Sequence, residues 1–136
     1  MTDELLERIK KSRLHTRANC CGTALYLHGI TEIDVPCDYW MFDVILLNLT
    51  SRIQEPVRGD IIAYGDEEGH FHAGIILDPE KKIVCHRTGT NENILETSLD
   101  DMQYIMGTGK PSEFYKMKYS KPEFYRKIGR IESWAI

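Results

Sequence analysis

Three residues far apart in the chain, Cys20, His72 and His86, are of the types that carry out thiol chemistry together. A cysteine is a strong nucleophile as the thiolate, and histidine is the side chain whose ordinary proton affinity suits a base near neutral pH. A second polar group that fixes the ring of that base completes the logic of nucleophile, base and orienter. Such a set attacks an amide carbonyl through sulfur, forms an acyl-thioester and releases it to water. Each residue also has a plain structural reading. Free cysteines such as Cys20 and Cys21 are mostly small buried hydrophobes, and a lone strand histidine usually serves the fold. The chemistry therefore depends on the elements that would bring the three together.

The stretch from Asn19 to Gly29 reads as a helix marked at both ends, with Asn19 as N-cap and Gly29 as the left-handed residue past the C-terminus. Cys20 then holds the first helical position, where unpaired N–H groups and the macrodipole favour an anion. Cys21, Ala24, Leu25 and Leu27 make a broad apolar side, which predicts a central helix.

A β-meander follows Pro56 and Gly59. Ile61–Tyr64 is a strand, 65–69 a hairpin loop, His70–Leu77 the return strand, Lys82–Thr88 a third and Asn93–Thr97 a fourth. Alternation places His72 with Gly74 and Ile76, opposite the more apolar set Phe71, Ala73, Ile75 and Leu77. His86 lines up with Val84 and Thr88, so neighbouring antiparallel strands set the two histidines side by side. A helix packed on that face sets Cys20 against His72. His70 is a rival facing the same way, nearer the loop. His15 lies in a polar connector and His28 at a helix end that favours a cation, and neither is read as catalytic.

The remaining elements frame this centre. A short helix begins at Thr2, capped by its hydroxyl, with Leu5, Leu6 and Ile9 as its stripe. A helix over Tyr39–Gln54, capped by Asp38, is rich in large apolar residues (Trp40, Phe42, Ile45, Leu49) and is assigned to the core. Ser98 caps a helix over Leu99–Met106, Phe114–Tyr119 is a late strand, and Ile128–Trp134 is an edge strand or packed tail. Together these predict one α+β domain over residues 1–136, with N-terminal helices packed on a mainly antiparallel sheet.

Composition narrows the function. The chain is 42% hydrophobic and 28% charged, as globular domains are, and its net charge of −4 argues against a general nucleic-acid binder. The basic residues between Lys110 and Arg130 are interrupted by acids and read as a solvated face. No stretch approaches the roughly 20 apolar residues of a membrane span, and the acidic start has no apolar run. The expectation is a cytoplasmic protein with no membrane partner, unless a specialised secretion system exports it. Adjacent Cys20 and Cys21 with solitary Cys37 and Cys85 lack zinc spacing, so free thiols with no metal or cofactor are expected.

Taken in order, Asn19-Cys20-Cys21-Gly22, Arg58-Gly59-Asp60-Ile61-Ile62, His72-Ala73-Gly74-Ile75 and Val84-Cys85-His86 resemble the NlpC family of papain-like cysteine peptidases. The resemblance spans roughly residues 19–97. It implies a papain-like fold with Cys20, rather than Cys21, as nucleophile, His72 as base and His86 as the third polar residue. It also implies a peptide substrate, an amide of bacterial cell-wall peptides (muropeptides). The family usually has aspartate before the nucleophile, serine after it, and a tyrosine with paired glycines shortly upstream. Here those places hold Asn19, Cys21 and Leu14-His15-Thr16-Arg17-Ala18. The other readings are a thiol acyltransferase or lipid-processing enzyme, and a non-catalytic binding module.

Overall fold

The computed structural model describes residues 3–66, 69–103 and 122–131. Helices α1 (Glu4–Ser12), α2 (Cys20–His28) and α3 (Tyr39–Leu49) come first. Strands β1 (Thr50–Ile53), β2 (Ile61–Asp66), β3 (Gly69–Asp78), β4 (Ile83–Arg87) and β5 (Ile94–Ser98), helix α4 (Leu99–Gln103) and strand β6 (Glu123–Lys127) follow. The strands form one sheet in the order β1-β6-β2-β3-β4-β5, every neighbouring pair antiparallel. The α+β expectation, with N-terminal helices ahead of an antiparallel sheet, holds. Among the described residues no helix is long and apolar enough to cross a membrane.

The sheet has two apolar faces. Ile61, Ala63, Ala73, Ile75 and Cys85 pack with Leu25, Phe42, Ile45 and Leu46 of the helices, and α2 is the middle of this layer, all nine of its residues buried. Fully burying one such Leu or Ile is worth about 1.5–3 kcal/mol. On the other face Ile62, Tyr64, Ile76 and Val84 pack with Met102 of α4 and with Phe124.

The helix ends show what local chemistry decides. Asn19 caps α2, accepting from the Gly22 N–H at 2.9 Å, and Gly29 closes it with φ of 88°. Helix α1 is capped by Asp3, which accepts from the Leu6 N–H; Thr2, the expected cap, lies outside the described residues. Asp38 stands at the N-cap of α3 but makes no side-chain cap bond.

Three expectations need correction. The helix predicted to Gln54 stops at Leu49, because Thr50–Ile53 leaves it to pair with β6, while the Thr50 hydroxyl bonds back to Leu46 O. Only Phe42, Ile45 and Leu46 of α3 are buried, and Trp40 and Leu47 are 63% and 82% exposed, so that helix is not core throughout. A strand forms earlier than expected, at Glu123–Lys127, inside the sheet between β1 and β2. Of the expected edge strand or packed tail, residues 128–131 are not strand, Ile131 packs against the core, and residues 132–134 lie outside the described residues. The charges of β6 are paired in the sheet: Arg126 forks onto buried Asp60 at 2.8–2.9 Å and Glu123 meets Arg52 at 2.8 Å. The expected strand 114–119 and the part of the expected helix beyond Gln103 lie outside the described residues.

A polar knot joins the helices to the sheet. Arg87, fully buried at the end of β4, donates to Thr23 Oγ1 (2.9 Å), Ser12 O (3.0 Å), Ser12 Oγ (2.7 Å) and Glu92 O (2.5 Å). Asp34, 8% exposed, accepts from Thr23 and from Ser12 and lies 3.6 Å from the guanidinium.

Candidate active site

Asn19 does more than cap. Its Oδ1 also accepts from the Cys37 N–H at 3.0 Å, and its Nδ2 donates to Cys37 O at 2.8 Å. Segment 35–37 is thereby bound to the start of α2, so close that a Cβ on Gly22 would fall on the Val35 carbonyl. An aspartate could accept both N–H groups but would set a lone pair against the Cys37 carbonyl, which gives asparagine a physical reason here.

At this anchored end the Cys20 sulfur lies 3.9 Å from Phe71 O and 3.8 Å from the Cys21 sulfur. The thiol is held well below its ordinary range, first by the Cys21 thiol donating to it and then by the His72 imidazole and the Ala73 N–H, against burial that pushes it up. Cys21 is driven upward by giving that hydrogen bond and by burial. Burial also raises Cys37, to about 11, and Cys85, to about 12. Of four free cysteines, Cys20 alone is set to be a thiolate near neutral pH.

His72 stands just past a break in strand alternation. Tyr64 pairs with His72 and Gly65 with His70, leaving Phe71 as the extra residue of a β-bulge. The expectation that α2 packs on the face shared by His72, Gly74 and Ile76 is corrected: α2 packs against Ala73, Ile75 and Cys85. His72 keeps its place opposite Tyr64, while the bulge sends His70 to the helix layer and Phe71 to the second cluster instead of beside Ala73. The space left by Gly74 is taken by Val84 and His86 of β4.

His72 Nε2 is 2.9 Å from His86 Nδ1, with the rings at 90°, and His86 Nε2 is 2.9 Å from Thr97 Oγ1. Burial, then the His72 charge, lowers His86 to about 4, so it is neutral. A neutral His86 that accepts from His72 Nε2–H must carry its proton on Nε2 and donate it to Thr97, leaving His72 Nδ1 for the sulfur. Cys20, His72 and His86 are 3%, 4% and 1% exposed. Thr97 was not foreseen; the antiparallel register that pairs it with Val84, beside His86, is invisible in sequence.

The other histidines are apart from this line. His70 faces the helix layer, between Asp43 and Glu123, rather than following His72. His28 is not a helix-end cation: it donates from Nδ1 to Gly59 O and accepts the Lys127 N–H on Nε2, which requires the neutral ring, and burial lowers its proton affinity. His15 lies 3.4 Å from Asp34. Among the described residues no group of three His, Cys, Asp or Glu is arranged for a metal ion. No protein-family model, curated protein or solved structure matches this chain.

The neutral state of His86 predicts acid sensitivity. Below about pH 6.5 the unfolded chain binds a proton that folded His86 refuses until about pH 4, so stability falls as pH drops through that window. At about 1.36 kcal/mol per unit, the loss by pH 4.5 is about 2–3 kcal/mol. His28, shifted in the same direction, adds to it. Denaturant midpoints at pH 6.5 and 4.5 should therefore converge in His86→Asn relative to wild type. An unchanged gap would mean that His86 is not held neutral.

Proposed function

We propose that this chain is a cysteine-dependent hydrolase, a peptidase or amidase, acting through Cys20, His72 and His86. One observation carries the reading: the hydrogen-bonded line from His72 through neutral His86 to Thr97 stands beside a Cys20 thiol that His72 helps to hold below its ordinary range. The Cys20 thiolate attacks the amide carbon. The resulting oxyanion is met by the Cys20 backbone N–H, a first-turn group with no intrahelical acceptor. His72 gives its Nδ1 proton to the leaving amine as the C–N bond breaks, leaving an acyl-thioester. It then takes a proton from water, and the hydroxide releases the acid and restores the thiol. His86, fixed by Thr97, holds the ring throughout by accepting from Nε2–H.

The resemblance to NlpC peptidases supplies the substrate class, cell-wall stem peptides. Purified muropeptides incubated with wild type and Cys20→Ala, with chelator throughout, are expected to lose one amide with wild type only, as read by mass spectrometry. One observation favours a second reading. A cavity of about 290 Å³, floored by Ile76, Val84, Leu99 and Phe124, opens on the sheet face to which Val84 and His86 both belong, and would suit an apolar acyl group. Intact muropeptides, with acyl transfer from an activated donor to an added amine, would select that thiol acyltransferase. Neither reaction would leave a binding module.

A further inference from the structure

The start of α3 stands beside the approach to Cys20. Both backbone groups of Cys37 are bound to the Asn19 side chain, so residue 37 lies against the first turn of α2. Tyr39 opens α3 two residues later, and two steps of about 3.8 Å between Cα atoms keep it near that turn. Helical spacing puts Tyr39 on the flank of α3 that also carries Asp43 and Leu46. This flank meets β3 next to the thiol. Asp43 lies 3.3 Å from the His70 backbone nitrogen, and the carbonyl of the following residue, Phe71, is 3.9 Å from the Cys20 sulfur. The electrostatics agree: burial raises the Tyr39 phenol first, and negative charge on Cys20 and then on Cys21 raises it further. Phe42 and Leu46, further along the inner side of α3, are buried, yet Tyr39 is 51% exposed. Trp40, turned about 100° away, belongs to the outer stripe with Val44 and Leu47.

We propose that Tyr39 is a specificity-determining residue: its ring walls the approach to Cys20 and receives an apolar group of the substrate beside the scissile amide. This rests on the hydrolase reading of Cys20 and His72, and it names what that site prefers. The groups that meet the sulfur are a thiol, a carbonyl and an imidazole, from Cys21, Phe71 and His72, and they offer an incoming chain little apolar surface. An aromatic face left half in water gains when an apolar group covers it, because area leaves water on both sides. The phenol hydroxyl has no part in that contact, so phenylalanine serves equally at this position.

The test compares two alkylating reagents on Cys20 at pH 6, iodoacetamide and N-benzyl iodoacetamide. Each rate is divided by the rate with free cysteine, which removes intrinsic reactivity, and peptide mass spectrometry locates the label. Denaturant midpoints are measured alongside. In wild type the benzyl reagent should be favoured about tenfold. Tyr39→Ala should bring the ratio of the two rates to about one, and Tyr39→Phe should keep it at the wild-type value. A purely structural role would slow both reagents alike and leave the ratio high. A ratio near one in wild type, or a high ratio that survives in Tyr39→Ala, therefore overturns the wall while leaving the hydrolase reading intact. A wild type whose Cys20 reacts with iodoacetamide over the pH range of an ordinary thiol overturns both.

Discussion

Replacing Cys20 with alanine should abolish turnover, a loss of about 10³-fold or more, and remove fast thiol labelling at pH 6, while changing stability by less than about 1 kcal/mol. Cys21→Ser should do nearly the opposite. Its hydroxyl still donates toward the Cys20 sulfur, so labelling survives. Placing a hydroxyl at a fully buried position, however, costs about 1–3 kcal/mol. The asymmetry follows from one helical step: Cys20 meets Phe71 O and His72, whereas Cys21 belongs to the core beneath them. Cys21→Ala removes the donor that does most to lower Cys20 and should push labelling toward higher pH. Peptide mapping of the labelled site, with turnover on the same samples, decides the matter. Equal loss of activity in folded Cys20→Ala and Cys21→Ser would end the assignment of Cys20 as sole nucleophile.

Arg87→Met should be the most destabilising single change outside the proposed catalytic line, by about 3–5 kcal/mol. The guanidinium donates to Thr23, Ser12 and the Glu92 carbonyl, and its removal leaves Asp34 as a buried carboxylate without its cation. Methionine fills the volume, so most of the loss comes from stranded polar groups rather than a cavity. Adding Asp34→Asn should return part of the stability, since the uncompensated charge goes with it. Urea unfolding of the two single variants and the double variant gives the coupling. A loss under about 1 kcal/mol for Arg87→Met would mean the knot is dispensable.

The proposed catalytic line was legible because its parts are local. Asn19 and Gly29 bound a helix by cap chemistry, and β-branched runs around a glycine loop give the meander that puts His72 beside His86. What sequence could not give was register and pairing. The bulge at Phe71 is one extra residue in a plain alternating strand, so alternation alone sent His70 the wrong way. Thr97 reads as an ordinary strand residue until its register beside His86 is known. Glu123, Arg126 and Lys127 look like a solvated charged run because their partners Arg52, Asp60 and His28 come from elsewhere in the chain. Thr50–Ile53 reads as helix because its strand partner, β6, lies far along the chain.

That last pairing orders events in time. Among the described residues β1 pairs with no strand but β6, and Thr50 meets Lys127 across a long span of sequence, so a growing chain emerging from the ribosome exposes β1 well before this partner exists. The same late segment ties down the far end of the nucleophile helix, where the Lys127 N–H donates to His28 and the Ile131 N–H to Ile30 O. The meander from β2 to β5 can form early from near-neighbour contacts, whereas the closure that steadies α2 is the slow, long-range step. The nascent protein thus holds its Cys20 thiol on a helix secured at one end, and that helix is tied at both ends only when β6 threads between two strands that have been waiting.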